Sequence, residues 1–161
     1  MTNNEYVIFE VDSCKFALPS DAVDRVERAV MLTPVPDAPA PVLGVVNRGG
    51  EVIPVLGLRG RIGGEERDII LSDRLVFSTA NGRPMALLAD RIGDVVGIDS
   101  DVARDADEIW PGISLLKSFA GLGADVVLVQ DMSELLDPDQ ERSLLAAIAA
   151  MSEEEDVAVD E

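Results

Sequence analysis

Residues 45–63 read VVNRGGEVIPVLGLRGRIG, two apolar runs of Val, Ile and Leu that meet at a glycine pair. β-Branched residues on both sides of Gly49-Gly50 predict short strands around a turn. Strand alternation puts Ile53 and Val55 on one face, and would put Arg59 and Arg61 together on another. Pro54 has no amide for a ladder, so it must sit at an edge, a bulge or a strand start. The same stretch is cationic. From Ala38 to Gly64, Arg48, Arg59 and Arg61 stand against Glu51 alone, a net of +2, so the remainder of a chain of net charge −18 sums to −20. Arginines beside a strand edge suit a docking surface, or charge that keeps edges from pairing with other chains.

Working outward, the chain has 161 residues, 47% of them hydrophobic but only 4% aromatic. That is enough for one core, built mostly from Val, Leu, Ile and Ala, and short strands suit it. Tyr6–Val11 and Lys15–Leu18 flank Asp12-Ser13 as a hairpin, and Pro19-Ser20-Asp21 opens one helical turn. Val23–Val30 fits either a helix or an edge strand. Pro34, Pro36, Pro39 and Pro41 enforce an extended connection into Val42. Asn81-Gly82 predicts a two-residue hairpin turn between Leu75–Thr79 and Met85–Ala89. Val95–Ile98 and Val126–Val129 are further strand candidates, with the link between the last two strands expected to be short, at Ala124-Asp125.

One strong helix is expected at the end. Asp137 can cap it, Pro138 suits its first turn, Gln140 completes a capping box, and Leu144, Leu145, Ile148 and Met151 mark an apolar face. Residues 1–151 are thus expected to form one domain. Ser152–Glu161, with six acids in SEEEDVAVDE, is expected to be a disordered, solvated tail.

Several function classes lose support. Met1–Glu10 lacks the pattern of an export signal, and no stretch is long enough to span a bilayer. Cys14 is alone, which excludes an internal disulfide or a cysteine metal cluster and suits a reducing cytoplasm. Thirty-one acids against thirteen bases oppose nucleic acid and direct membrane binding. There is no His, no glycine-rich phosphate loop followed by Lys, and no Ser in a nucleophile elbow, so no catalytic residue is assigned. A carboxylate-based hydrolase on a small β-barrel is the alternative from the enzyme class. Asp99–Glu108, DSDVARDADE, imitates a calcium loop, but Ala103 takes the third ligand position and Arg104 replaces the turn glycine. Neither metal nor cofactor is expected. Trp110-Pro111 reads as packing at the core edge.

The order of these segments carries a resemblance. VIFEVDSCKFALP (7–19), Val23-Asp24-Arg25-Val26, LTPVPDAPAPVLGVVNRGGEVIPVLGLR (32–59), ALLADRIGDVVGI (86–98) and FAGLG followed by VVLVQDMSELL (119–123, 126–136) closely resemble the CheW-like family of bacterial chemosensory coupling proteins. The resemblance runs from about Tyr6 to Leu136, and its most specific block holds Gly44, Asn47, Gly50, Pro54 and Leu58-Arg59.

It implies a mainly all-β fold of two small SH3-like β-barrels packed together with a C-terminal α-helix, and no catalysis. It also implies an adaptor that joins the cytoplasmic tip of a chemoreceptor (a methyl-accepting protein) to the regulatory domain of a CheA-type histidine kinase, recruited from the cytoplasm to receptor arrays. The binding residues it points to are Val23, Asp24, Arg25, Val26, Gly44, Asn47, Arg48, Gly49, Gly50, Pro54 and Arg59.

Departures fall on that surface. Asn47-Arg48-Gly49-Gly50 stands where the family reads Asn-Leu-Arg-Gly, Gly57 where an Asp is common, Arg25 where an acid is common and Glu27 where a base is. Arg48 can replace the family's arginine only if a bulge at Gly49-Gly50 absorbs one residue, which would leave Arg48 exposed. The alternative is a divergent scaffold of this family that recruits other proteins without kinase coupling.

Overall fold

The structure, a computed structural model, describes residues 5–80, 82–97, 113–116, 127–130, 132 and 135–159. Strands β1 (Glu5–Val11) and β2 (Cys14–Pro19) form the first hairpin, and a 3-10 turn at Ser20–Ala22 leads to β3 (Val23–Arg28). β4 (Val42–Arg48) and β5 (Glu51–Leu56) form the second hairpin, followed by a 3-10 helix at Arg59–Ile62. Then come β6 (Arg74–Ala80), β7 (Arg83–Ala89), β8 (Arg91–Gly97), β9 (Ile113–Leu116), β10 (Val127–Gln130) and α1 (Pro138–Val159).

Two five-stranded sheets result, in the orders β8-β1-β2-β10-β9 and β3-β6-β7-β5-β4. The first takes strands from both ends of the chain and the second takes the middle. The mainly β architecture with one C-terminal helix is the one the resemblance implies. The second sheet curls: Thr33, just beyond β3 at one edge, exchanges two 2.9 Å backbone bonds with Val45 of β4 at the other. Gly44 allows this closure, because a Cβ there would lie 2.7 Å from the Thr33 carbonyl oxygen.

Turn chemistry sets the registers. Asp12 and Ser13 adopt φ of 49° and 68°, and Gly49 and Gly50 adopt 60° and 90°, the left-handed values that two-residue hairpins need. Asn47 Oδ1 accepts the Gly50 amide at 2.9 Å. Gly82, at φ 76°, lies in the β6–β7 turn; its partner Asn81 is outside the described residues.

The sheets share a core. Phe9, Val11, Phe16 and Leu18 of the first meet Leu56, Val76, Met85 and Leu87 of the second, closed by Met132, Leu135, Leu136 and Leu144. Phe9 and Phe16, paired across β1 and β2, stack with ring centroids 5.7 Å apart. The other face of the second sheet holds Val46, Ile53, Val55, Leu75, Phe77, Ala86 and Leu88. Inner strands β6 and β7 are therefore apolar on both faces and show no polar alternation in sequence.

Several expectations change. Val23–Arg28 is an edge strand, which settles the choice against a helix. Arg59 and Arg61 lie on a 3-10 helix, so strand alternation does not pair them. The ladder from Asn47↔Val52 to Arg48↔Glu51 is unbroken, and the register shift in this hairpin falls between Val42 and Gly44 instead of at Gly49-Gly50. The glycines make the turn itself, so no residue is left over for a bulge there. β9 went unread in the sequence, and the short link expected at Ala124-Asp125 lies outside the described residues.

Helix α1 has the expected capping box: the Gln140 amide donates to Asp137 Oδ1 at 2.7 Å and the Asp137 amide to Gln140 Oε1 at 3.0 Å. Leu144 is buried and Ile148 partly so, but Leu145 is 40% exposed. The helix runs to Val159 and so takes in most of Ser152–Glu161. Once a turn exists, each further residue adds a hydrogen bond, and the helix propensity of Glu works there against the negative end of the helix dipole. The calcium-like stretch 99–108 and Trp110-Pro111 lie outside the described residues.

Candidate partner-docking surface

Three of the arginines and acids that the sequence scattered along β3 and the β4–β5 hairpin converge. Register places Arg25 opposite Phe77 and Glu27 opposite Leu75, so both side chains point to the face that carries Phe77. Arg48 reaches the same place from β4, two residues beyond the buried Val46. Glu27 accepts from Arg25 Nε through Oε2 and from Arg48 Nη2 through Oε1. The two guanidinium carbons lie 4.5 Å (Arg25) and 5.5 Å (Arg48) from the Phe77 ring centroid, in cation–π range. Arg48, expected to be exposed, is thus half-buried, its side chain 34% exposed.

The other candidate residues divide into two groups. Asp24, Val26, Asn47, Gly49 and Gly50 are exposed, Val26 and Asn47 on the faces of their strands opposite Glu27 and Arg48, and Asp24 Oδ2 accepts from Thr79 Oγ1 at 2.9 Å. Val23 packs partly against the shared core. Gly44, Pro54 and Arg59 are buried. Val45 spends both backbone bonds on Thr33, so Pro54, opposite it, turns its nitrogen away from β4; β7 joins β5 only at Val55 and Leu56. The missing amide therefore costs no hydrogen bond. Ahead of that junction the strands part, and Val52, Pro54, Pro84, Met85, Leu145 and Ile148 line an open apolar groove beside α1.

Arg59 has an internal role. Its side chain is 2% exposed; Nε donates to Asp12 Oδ1 at 3.1 Å and Nη2 to Asp90 Oδ1. Arg67 adds 2.8 Å to Asp90 Oδ1 and holds Asp73 through two bonds of 2.8 and 2.9 Å. Burial pushes the Asp73 carboxyl up, but the Arg67 side chain and the Ile70 amide prevail and hold it below its ordinary value. Burial raises the Glu66 carboxyl above its ordinary range against the opposing Arg59 amide and charge. The network ties the β1–β2 turn to the β7–β8 junction, so the cationic stretch serves two purposes: Arg48 faces outward with Glu27, and Arg59 fastens the sheets.

Sequence reasoning marked Glu27 only as a departure and missed Phe77, Asp12, Asp90, Arg67 and Asp73. The spacing Arg25-x-Glu27 does signal a shared strand face, but Phe77 is reached only through register. Among the described residues no group of His, Cys, Asp and Glu is arranged to hold a metal ion, and no helix is long and apolar enough to cross a membrane.

A model of the CheW-like domain matches residues 5–140. The chain belongs to the CheW-like domain family. The chemotaxis protein CheW of Rhizobium meliloti (strain 1021) is 29% identical over 104 residues, 64% of this chain and 67% of that protein. The chemotaxis protein CheW of Bacillus subtilis (strain 168) is 25% identical over 151 residues, covering 86% and 96%. Protein FrzA of Myxococcus xanthus is 33% identical over 88 residues, 55% of each. The crystal structure of the scaffolding protein TtCheW from Thermoanaerobacter tengcongensis matches with a TM-score of 0.73 at 19% identity, over 87% of this chain and 92% of that one, which shows a common fold. CheW-like proteins are non-catalytic chemotaxis scaffolds, and the hydrolase alternative falls away.

Proposed function

We propose that this CheW-like chain is the adaptor that couples chemoreceptor signalling tips to the regulatory domain of a CheA-type histidine kinase, recruited from the cytoplasm to a receptor array. The observation that carries it is the convergence of β3 and the Asn47 hairpin, the two segments the resemblance implicates in binding, on one surface around Glu27. Charged groups at such a rim set partner choice and association rate more than affinity.

The test is calorimetric titration of the purified chain with the kinase regulatory domain and with a receptor-tip fragment of the same organism. Binding to both is expected, weakened by added salt and by Arg48→Glu without loss of folding. Binding to neither would support the second reading, a divergent scaffold for other proteins. Gly49 favours that reading, because it occupies the family's arginine position with φ 60° and nothing within 4 Å of a Cβ built there.

A further inference from the structure

The Arg25–Glu27–Arg48 cluster is incompletely satisfied. A carboxylate and a guanidinium bond best fork to fork, two parallel bonds within one pair. Glu27 instead divides its oxygens, one to Arg25 Nε and one to Arg48 Nη2, so neither arginine has the paired geometry. Arg48 Nε is buried and has no acceptor among the described residues. Two positive charges meet one negative charge here, in a chain of net charge −18. Phe77, 2% exposed, supports both guanidinium groups from beneath, and the side chains of Arg25 and Arg48 are 48% and 34% exposed.

We propose that Arg25 and Arg48 form a carboxylate-binding fork on Phe77, that Glu27 fills it in the free protein, and that an acidic side chain of a partner protein takes Glu27's place. The entering carboxylate can bond fork to fork with Arg48 and engage its orphan Nε, while Glu27, 28% exposed, turns to water. Glu27 therefore weakens docking of acidic partners and suppresses capture of other anions. This rests on the adaptor reading only in taking the face as a docking surface.

The test uses the chain alone, so its result is separable from success or failure with kinase and receptor. Hexaglutamate is titrated into the wild type and Glu27→Gln while the Arg Nε–H signals are followed by NMR, with hexaglutamine as the uncharged control. Signals of Arg25 and Arg48 should move with hexaglutamate and not with hexaglutamine, well beyond those of the exposed Arg142. In Glu27→Gln the half-saturating concentration should fall about two- to tenfold, as for loss of one exposed-to-half-buried ionic competitor. Thermal melts of both forms confirm that each is folded. Equal half-saturation in the two forms, or movement of Arg25 and Arg48 no greater than that of Arg142, would overturn the proposal and leave Glu27 as a clasp between β3 and β4.

Discussion

Arg59 Nε donates to Asp12 Oδ1 at 3.1 Å across 47 positions of sequence, with the arginine 2% exposed and the aspartate 45%. The bond joins the 3-10 helix after β5 to the β1–β2 turn, and so one sheet to the other. A buried guanidinium survives only with partners, since its desolvation costs several kcal/mol. Asp12 and Asp90 supply them.

Arg59→Met should therefore destabilise the fold by about 3 kcal/mol, at the low end for a broken buried pair because both aspartates retain some water. Urea denaturation checks this. A loss within experimental error would mean that the methionine's packing offsets the lost network.

Asp73 gives the stability a pH dependence. Its folded-state pKa lies below the ordinary aspartate value of 3.8, so its contribution is present above that value and is lost as pH falls through the folded one. Arg67→Met should be less stable than wild type at neutral pH, and the two melting temperatures should converge in acid. Parallel curves down to the acid limit would contradict the linkage.

Glu66 has the opposite sign. Its folded pKa is raised above 4.5, so the stability it contributes is full below 4.5 and lost as pH rises through the folded value. Glu66→Gln keeps an acceptor for the Arg59 amide and should melt slightly higher than wild type at neutral pH, with the gain vanishing in acid. Melts at several pH values decide.

Gly57 and Glu66 are coupled, since a Cβ at Gly57 would lie 2.1 Å from Glu66 Oε1. Gly57→Asp must displace that carboxylate and add a like charge, a loss of about 1 kcal/mol. Glu66→Gly in the same background should recover it, and a double-mutant cycle measures the coupling. Additive effects would show that the two sites are independent.

Leu144, 3% exposed in the shared core, should cost about 2–5 kcal/mol on change to Ala. Leu145→Ala, at a position 40% exposed beside the groove, should cost much less. Comparable losses would place both side chains in the core.

Local chemistry determined much of this protein in the sequence itself. Gly49-Gly50 and Gly82 specify turns through backbone freedom and Asp12-Ser13 as turn-forming polar residues, Asp137 and Gln140 specify a helix start through two hydrogen bonds, and the ordered segments carry the CheW-like resemblance. Each rests on residues within a few positions of one another. Tertiary structure alone decided the functions of the arginines. Arg48 and Arg59 stand eleven positions apart with the same chemistry, yet one joins Glu27 on the surface and the other is buried with Asp12 and Asp90. Their partners are brought near by strand register and sheet closure, and a charge's burial and pairing depend on those distant neighbours.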